Sequence, residues 1–299
     1  MSFENFEQRD FAVNATTIHA RYTTQTEAVR PALLLLHGYP QTHFNWHKIA
    51  SELARHFRVV CPDLRGYGDS AKPRGEADHA NYSKRTMAAD MVEVMRELGH
   101  ESFAVVGHDR GGRVAHRLAL DHPDRVTKLC VIDISPTLTM YDKTDFAFAQ
   151  AYFHWFFLTQ PHPLPEMMLA ADAPAILRIF LGGWGNAGLA PYTPEALAEY
   201  ERCWATAEGL HASCEDYRAS AGTDLEHDRA SDAAGHRVRC PMLVLWGERG
   251  VVARLFDPIA DWTAKCSASV VGKALPAGHF IPEEVPDLLL QELEPFLAP

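Results

Sequence analysis

The segment Phe103-Ala104-Val105-Val106-Gly107-His108-Asp109-Arg110-Gly111-Gly112 carries the densest chemistry in the chain. An apolar run enters a sharp turn and leaves as a helical pattern, with Gly107 and Gly111 two positions either side of Asp109. That spacing fits a nucleophile elbow, whose central residue holds a strained backbone with no room for side chains at the flanking glycines. The elbow lifts its side chain to the top of a sheet. It also leaves the next backbone N–H, that of Arg110, at a helix start where it can donate to a developing negative charge. The usual occupant is Ser. A carboxylate there instead displaces a leaving group from saturated carbon and becomes an alkyl ester. Water must then attack the ester carbonyl, and a His must deprotonate that water. An Asp before a helix also serves as an N-cap, so the residue alone leaves Asp109 open to both roles.

A base and an acid are available further on. Gly278-His279-Phe280 follows the last strand pattern and precedes the closing helix, where a His would come down onto the top edge of the sheet. Asp133 ends the run Val126–Ile132 and is placed to orient and charge-stabilise His279. The next strand end, Trp246-Gly247-Glu248-Arg249-Gly250, is the other common acid position. It offers Gly250 where an acid would be expected, with Glu248 as the alternative; Asp133 is preferred.

These residues need a scaffold. Phe11–Tyr22 reads as an opening hairpin, and Ala32–Leu36 and Phe57–Cys61 as strands buried on both faces. Met87, Met91, Val94, Met95 and Leu98 recur at helical steps and stop at Gly99. Phe103–Val106 and Val126–Ile132 are strands again, with a helix between them. This alternation predicts an α/β fold with a mostly parallel sheet flanked by helices. From about Pro136 to about Val238 no strand run occurs; aromatics, Ala and Pro dominate and several helices are expected. The sheet signature returns at Pro241–Gly247 and Ser269–Val271, and Pro286–Leu297 reads as a closing helix. We therefore expect a core of residues 1–135 and 239–299 with an inserted helical cap, 136–238.

Together, the His37-Gly38-Tyr39-Pro40 loop, the Asp63–Ser70 loop, the Asp elbow and the terminal His resemble the α/β-hydrolase fold over nearly the whole chain. Within it they resemble the branch of epoxide hydrolases and haloalkane and haloacetate dehalogenases. Asp109-Arg110-Gly111-Gly112-Arg113 with His154-Trp155 and Tyr217 is similar to the fluoroacetate dehalogenases. The resemblance implies Asp109 as nucleophile, His279 as base and Asp133 as acid. It further implies Arg110 and Arg113 as the carboxylate-binding pair and His154, Trp155 and Tyr217 as the halide pocket, with a homodimeric assembly. The reaction implied is hydrolysis of fluoroacetate to glycolate and fluoride, with weaker action on other 2-haloacids. Chemistry agrees: Arg110 and Arg113 lie one helical turn apart, and two guanidinium forks suit a small carboxylate. Fluoride departs only with donors aimed at it, and imidazole, indole and phenol groups are donors. The Tyr39 and Arg110 backbone N–H groups are candidates for the oxyanion hole. His37 and Pro40 read as loop-shaping, Asp63 with Arg65 as a structural turn, and Trp184 as a cap aromatic that either moves or packs.

The 299 residues carry 28 basic and 39 acidic side chains, a net −11, which argues against nucleic acid and anionic membranes as partners. Two local arginines can still hold an anion, since screening discounts distant charges. Six scattered cysteines read as reduced and mostly buried. No metal or nucleotide motif calls for a cofactor. No signal peptide or membrane span is apparent, so a cytoplasmic protein is expected. Three other readings compete, one of them a haloacid dehalogenase that prefers chloroacetate. An epoxide hydrolase would use the same Asp–His pair with Tyr217 and either Tyr152 or Tyr192 as proton donors. A receptor would bind a small carboxylate without turning it over.

Overall fold

The structure is a computed structural model that describes residues 3–24, 30–185 and 187–298. Eight strands form one sheet: β1 (Phe6–Val13), β2 (Thr16–Thr23), β3 (Ala32–Leu36), β4 (Arg58–Pro62), β5 (Phe103–His108), β6 (Val126–Ile132), β7 (Met242–Gly247) and β8 (Val270–Leu275). Their spatial order is β1-β2-β4-β3-β5-β6-β7-β8. The β1–β2 hairpin and the β2–β4 pair are antiparallel, and every other pairing is parallel. The sheet is thus mostly parallel, as the strand–helix alternation predicts.

Side-chain alternation along the strands divides the core into two layers. Leu34, Leu36, Val105, Val131 and Val244 face one side, with Met87, Met91 and Val94 of the helix Lys84–Glu97 and Val114 and Leu118 of the helix Arg110–Asp121. Leu33, Leu35, Val106, Ile132 and Leu245 face the other, with Trp46 and with Leu289, Leu293 and Leu297 of the closing helix Pro286–Leu297. A strand covered on both faces must be apolar throughout, which is why β3, β4 and β5 are buried along their whole length.

Parallel registry brings the site together. Leu36 pairs with Gly107 and His108 with Ile132, so β3, β5 and β6 end at one level. Gly247 pairs with Leu275 at the ends of β7 and β8. The loops after these strands share one edge of the sheet. The chain runs outward from β3 to β4 and returns to β5, so β3 and β5 flank a switch point, where open α/β sheets place their ligands.

Among the described residues, eight helices lie between β6 and β7, from Thr137–Asp142 to Thr223–Ala233. Asp145, Asp172, Thr193 and Thr206 cap four of them through their side-chain oxygens. Six of the seven large apolar side chains found exposed among the described residues belong to this stretch: Phe146, Phe153, Leu164, Met167, Met168 and Ile179. No described helix is long and apolar enough to cross a membrane. All six cysteines are free.

Candidate active site

Asp109 sits between β5 and the helix Arg110–Asp121 with φ 46° and ψ −113°, and its side chain makes no capping hydrogen bond. The turn is held open by missing side chains. A Cβ on Gly107 would lie 2.5 Å from the Gly111 carbonyl oxygen, and one on Gly111 would lie 2.3 Å from that of Leu36. Positive φ at a non-glycine residue costs on the order of 1–3 kcal/mol and here aims a carboxylate rather than capping a helix. The Tyr39 backbone N–H donates to Asp109 Oδ2 at 3.1 Å. Burial pushes the Asp109 carboxyl up, yet His279, Arg113 and Arg110 outweigh it and hold the group below its usual 3.8. Asp109 is therefore an ionised carboxylate with an N–H already on one oxygen.

His279 lies on the loop after β8. Its Nδ1–H donates to Asp133 Oδ2 at 2.6 Å, and Asp133 Oδ1 accepts the Gly247 N–H at 3.0 Å. Asp133 itself takes φ 53°. Burial pulls the His279 pKa down, but the Asp133 hydrogen bond and charge, with Asp109, raise it above 6.5 overall. Glu248 points elsewhere: its side chain is exposed and pairs with Arg249 at 3.6 Å. A Cβ on Gly250 would lie 3.3 Å from Asp133 Oδ1, so a second acid there would crowd the first.

Several groups that the sequence reading passed over fix the His279 loop. His108 Nε2–H donates to the His279 carbonyl at 2.9 Å, and burial holds the His108 pKa down at about 3, so that ring is neutral. Glu284 accepts from the Gly278 and Phe280 N–H groups at 2.8 and 3.0 Å. The His279 N–H reaches the Trp184 carbonyl at 3.2 Å.

The two arginines are buried beside Asp109 but are not free forks. Arg110 gives Nε and Nη2 to the Asp216 carboxylate at 2.8 and 2.7 Å, and Nη2 also to Ser220 Oγ at 2.6 Å. Arg113 gives Nη1 to Thr137 Oγ1 at 3.0 Å and Nη2 to Met140 Sδ at 3.3 Å. What remains is Arg110 Nη1 and Arg113 Nε, both buried without a partner. Nη1 is an NH2, so Arg110 keeps two N–H groups on one nitrogen and Arg113 keeps that of Nε; neither guanidinium presents an edge free on both nitrogens, which corrects the expectation of two bidentate forks. Asp216 was missed because it is an ordinary helical Asp, 106 residues from the arginine it holds. Its adjacency to Tyr217 is the one local hint.

His154, Trp155 and Tyr217 come from two separate helices of the inserted stretch and meet over this pair. The His154 and Tyr217 ring centroids lie 5.6 Å apart, and those of Trp155 and Tyr217 6.4 Å apart. The Arg110 guanidinium lies 4.2 Å from the Tyr217 ring centroid, and Arg113 lies 4.6 Å from that of Trp155. Burial holds His154 neutral, with Nδ1 unpartnered, and keeps the Tyr217 hydroxyl protonated. Trp184 packs at 4.1 Å from the His154 ring and 4.8 Å from Phe180. Of the loop residues, buried His37 accepts the Leu64 N–H, Asp63 accepts the His43 and Asp69 N–H groups, and Arg65 pairs with Asp90.

The arrangement combines an ionised, strained Asp, a His poised by a second Asp, and unpaired donors, all of them buried. It can alkylate a carboxylate and hydrolyse the resulting ester.

Comparison with known proteins agrees with this geometry. A family model described as the alpha/beta hydrolase fold matches residues 31–286. The chain is 45% identical to a fluoroacetate dehalogenase of Burkholderia sp over 296 residues, covering 99% of this chain and 95% of that one. It is 32% identical to a soluble epoxide hydrolase of Corynebacterium sp. (strain C12), covering 89% and 90% of the two chains. A crystal structure from Nostoc sp PCC 7120, assigned as an alpha/beta hydrolase, superposes with a TM-score of 0.95 at 51% identity, covering 99% of both chains. From sheet order, elbow and kinship together, the chain belongs to the α/β-hydrolase family, in the branch that holds fluoroacetate dehalogenase and the soluble epoxide hydrolases.

Proposed function

We propose that the protein hydrolyses fluoroacetate to glycolate and fluoride through an ester on Asp109, with weaker action on other 2-haloacids. The substrate carboxylate docks on Arg110 Nη1 and Arg113 Nε. An Asp109 oxygen attacks the α-carbon from the side opposite fluorine; the new C–O bond forms as the C–F electron pair leaves with fluoride. His154, Trp155 and Tyr217 donate to the departing ion. His279 then takes a proton from water, and the hydroxide adds to the Asp109 carbonyl carbon. The Tyr39 N–H, already on Oδ2, and the Arg110 N–H receive the oxyanion. Collapse expels the glycolate oxygen, which takes its proton from His279, and Asp109 keeps one oxygen of the water. Asp133 holds the His279 tautomer and balances its charge.

The observation that carries this reading is the pair of unpartnered, buried donor nitrogens on two arginines beside an ionised elbow carboxylate. Leaving a buried donor unmade costs about 1–3 kcal/mol, and an acceptor of small size and negative charge removes that cost twice. A neutral epoxide would leave the charge unanswered. For that reading the Tyr152 ring stands 6.4 Å from that of His279, whereas the Tyr192 hydroxyl is already bonded to the Leu181 carbonyl. The test is fluoride release together with the variant His279→Asn. With fluoroacetate that variant should accumulate a carboxymethyl adduct on Asp109, seen by mass spectrometry. Continued turnover by an unmodified variant would refute the scheme.

A further inference from the structure

The two arginines differ in what surrounds them. Arg110 is paired with Asp216, which also accepts from Lys84 Nζ and, at 2.5 Å, from the Tyr67 hydroxyl. Lys84 Nζ lies 3.3 Å from Asp224 Oδ2, and its backbone N–H donates to Asp224 Oδ1 at 2.7 Å. Two cations and two carboxylates therefore close on themselves, all buried. Arg113 has no such partner. Its hydrogen bonds go to the Ser135 carbonyl, the Thr137 hydroxyl and the Met140 sulfur, and its face lies against Trp155. The anion whose charge acts on it is Asp109. Titration directions agree: burial lowers the Arg113 pKa below the ordinary arginine value, whereas Asp216 raises that of Arg110 although it is buried too.

We propose that the arginines divide the work of binding a carboxylate: Arg113 supplies the net charge, and Arg110, neutralised by Asp216, supplies one directed donor nitrogen, Nη1. Asp216 is the positioning residue. By occupying Nε and Nη2 it leaves only Nη1 to meet the ligand and fixes where that NH2 points; Tyr67 and Lys84 hold Asp216 in turn, and Ser220 Oγ accepts from the same Arg110 Nη2. The device separates two demands that one free arginine would mix. A flexible, uncompensated fork would grip any small anion, fluoride included, in several poses. A neutralised, fixed one selects the pose that sets the α-carbon against Asp109.

This inference rests on the site's being a carboxylate site, so its test uses a carboxylate that cannot react. Acetate and its neutral counterpart acetamide are titrated into the full chain by calorimetry, in wild type and three variants. Wild type should prefer acetate. In Arg113→Gln the acetate Kd should rise about 10- to 100-fold, the scale of a hydrogen bond to a charge, while acetamide moves far less. The preference then collapses. The pair Arg110→Gln/Asp216→Asn removes one charge of each sign and keeps the local balance. It should weaken both ligands alike, by no more than about tenfold, with the preference retained.

Asp216→Asn alone should tighten acetate relative to acetamide, because Arg110 regains an uncompensated charge, while kcat on fluoroacetate falls. Loss of folded protein cannot change a ratio of Kd values, so a merely structural role for Asp216 would leave that preference unmoved. The proposal is overturned if the double variant loses the preference as fully as Arg113→Gln, or if wild type does not prefer acetate. If these Kd patterns hold but wild type releases no fluoride, the binding account stands and the defluorination reading falls.

Discussion

The Nδ1–H of His279 meets Asp133 Oδ2 at 2.6 Å, although the two residues lie 146 positions apart and on either side of the helical insertion. The alternative acid in the loop after β7, Glu248, is exposed and turned to Arg249. Asp133→Asn should therefore lower kcat by about 10⁴-fold, the scale on which a wrong tautomer disables a hydrolytic His. Glu248→Gln should stay within about twofold of wild type, as surface changes do. Fluoride-electrode assays of the two variants decide between the acid positions, and equal losses would contradict this geometry.

The pH dependence has a definite sign. Asp133 and Asp109 both raise His279 above 6.5 in the resting enzyme, and Asp109 is ionised down to below 3.8. Ester hydrolysis needs neutral His279, so its rate rises with pH through the His279 pKa and is lost on acidification. In the ester Asp109 no longer bears a charge, which removes one of the contributions that raise the imidazole. The acid limb for ester decay, measured by rapid quench, should accordingly lie at lower pH than the His279 titration seen by NMR in the resting enzyme. A limb at higher pH would contradict this coupling.

The halide donors should matter in proportion to how much the leaving ion needs them. Fluoride carries more concentrated charge than chloride and leaves a stronger bond. Tyr217→Phe removes a hydroxyl while keeping the ring on Arg110, and should slow fluoroacetate by about 10²-fold, as loss of one oxyanion donor does. Chloroacetate should slow less. Ion chromatography of both halides gives the ratio; equal slowing would move Tyr217 out of the halide pocket.

Gly38 leaves the nucleophile its space. A Cβ there would lie 2.6 Å from Asp109 Cβ and 3.0 Å from the His108 carbonyl oxygen. Gly38→Ala should cost about 1–3 kcal/mol of stability by overpacking. It should also lower kcat/KM by about 10²-fold, because a shift of the carboxylate of even 1 Å spoils the attack line. Thermal melts and steady-state kinetics on one preparation check both effects.

What the sequence made legible follows from how much of each signal is local. β3 runs over Ala32–Leu36 as the apolar pattern indicates, because a strand buried on both faces must be apolar without interruption, and β6 over Val126–Ile132, where Leu129–Ile132 is the buried apolar part. The edges were harder. β1 starts at Phe6 and β8 runs to Leu275, but both are largely exposed, and polar residues such as Glu7, Arg9 and Lys273 hid them. The order β2-β4-β3-β5 is a matter of long-range pairing that no window of sequence carries. In the site, the elbow around Asp109 was readable because its glycines lie only two positions from it. The hold of Asp216 on Arg110 was not, since nothing in a helical Asp names its distant partner. The anchoring of the His279 loop by His108 and Glu284 is another contact that only the fold creates.

The central claim is that an Asp109 oxygen becomes the hydroxyl oxygen of the product. A single turnover of fluoroacetate in ¹⁸O-water, with enzyme in excess, tests it most directly. The account predicts ¹⁸O in the Asp109 side chain by tandem mass spectrometry and none in the glycolate hydroxyl. Label in the glycolate hydroxyl with an unlabelled Asp109 would mean that water attacks the substrate itself, and would contradict it.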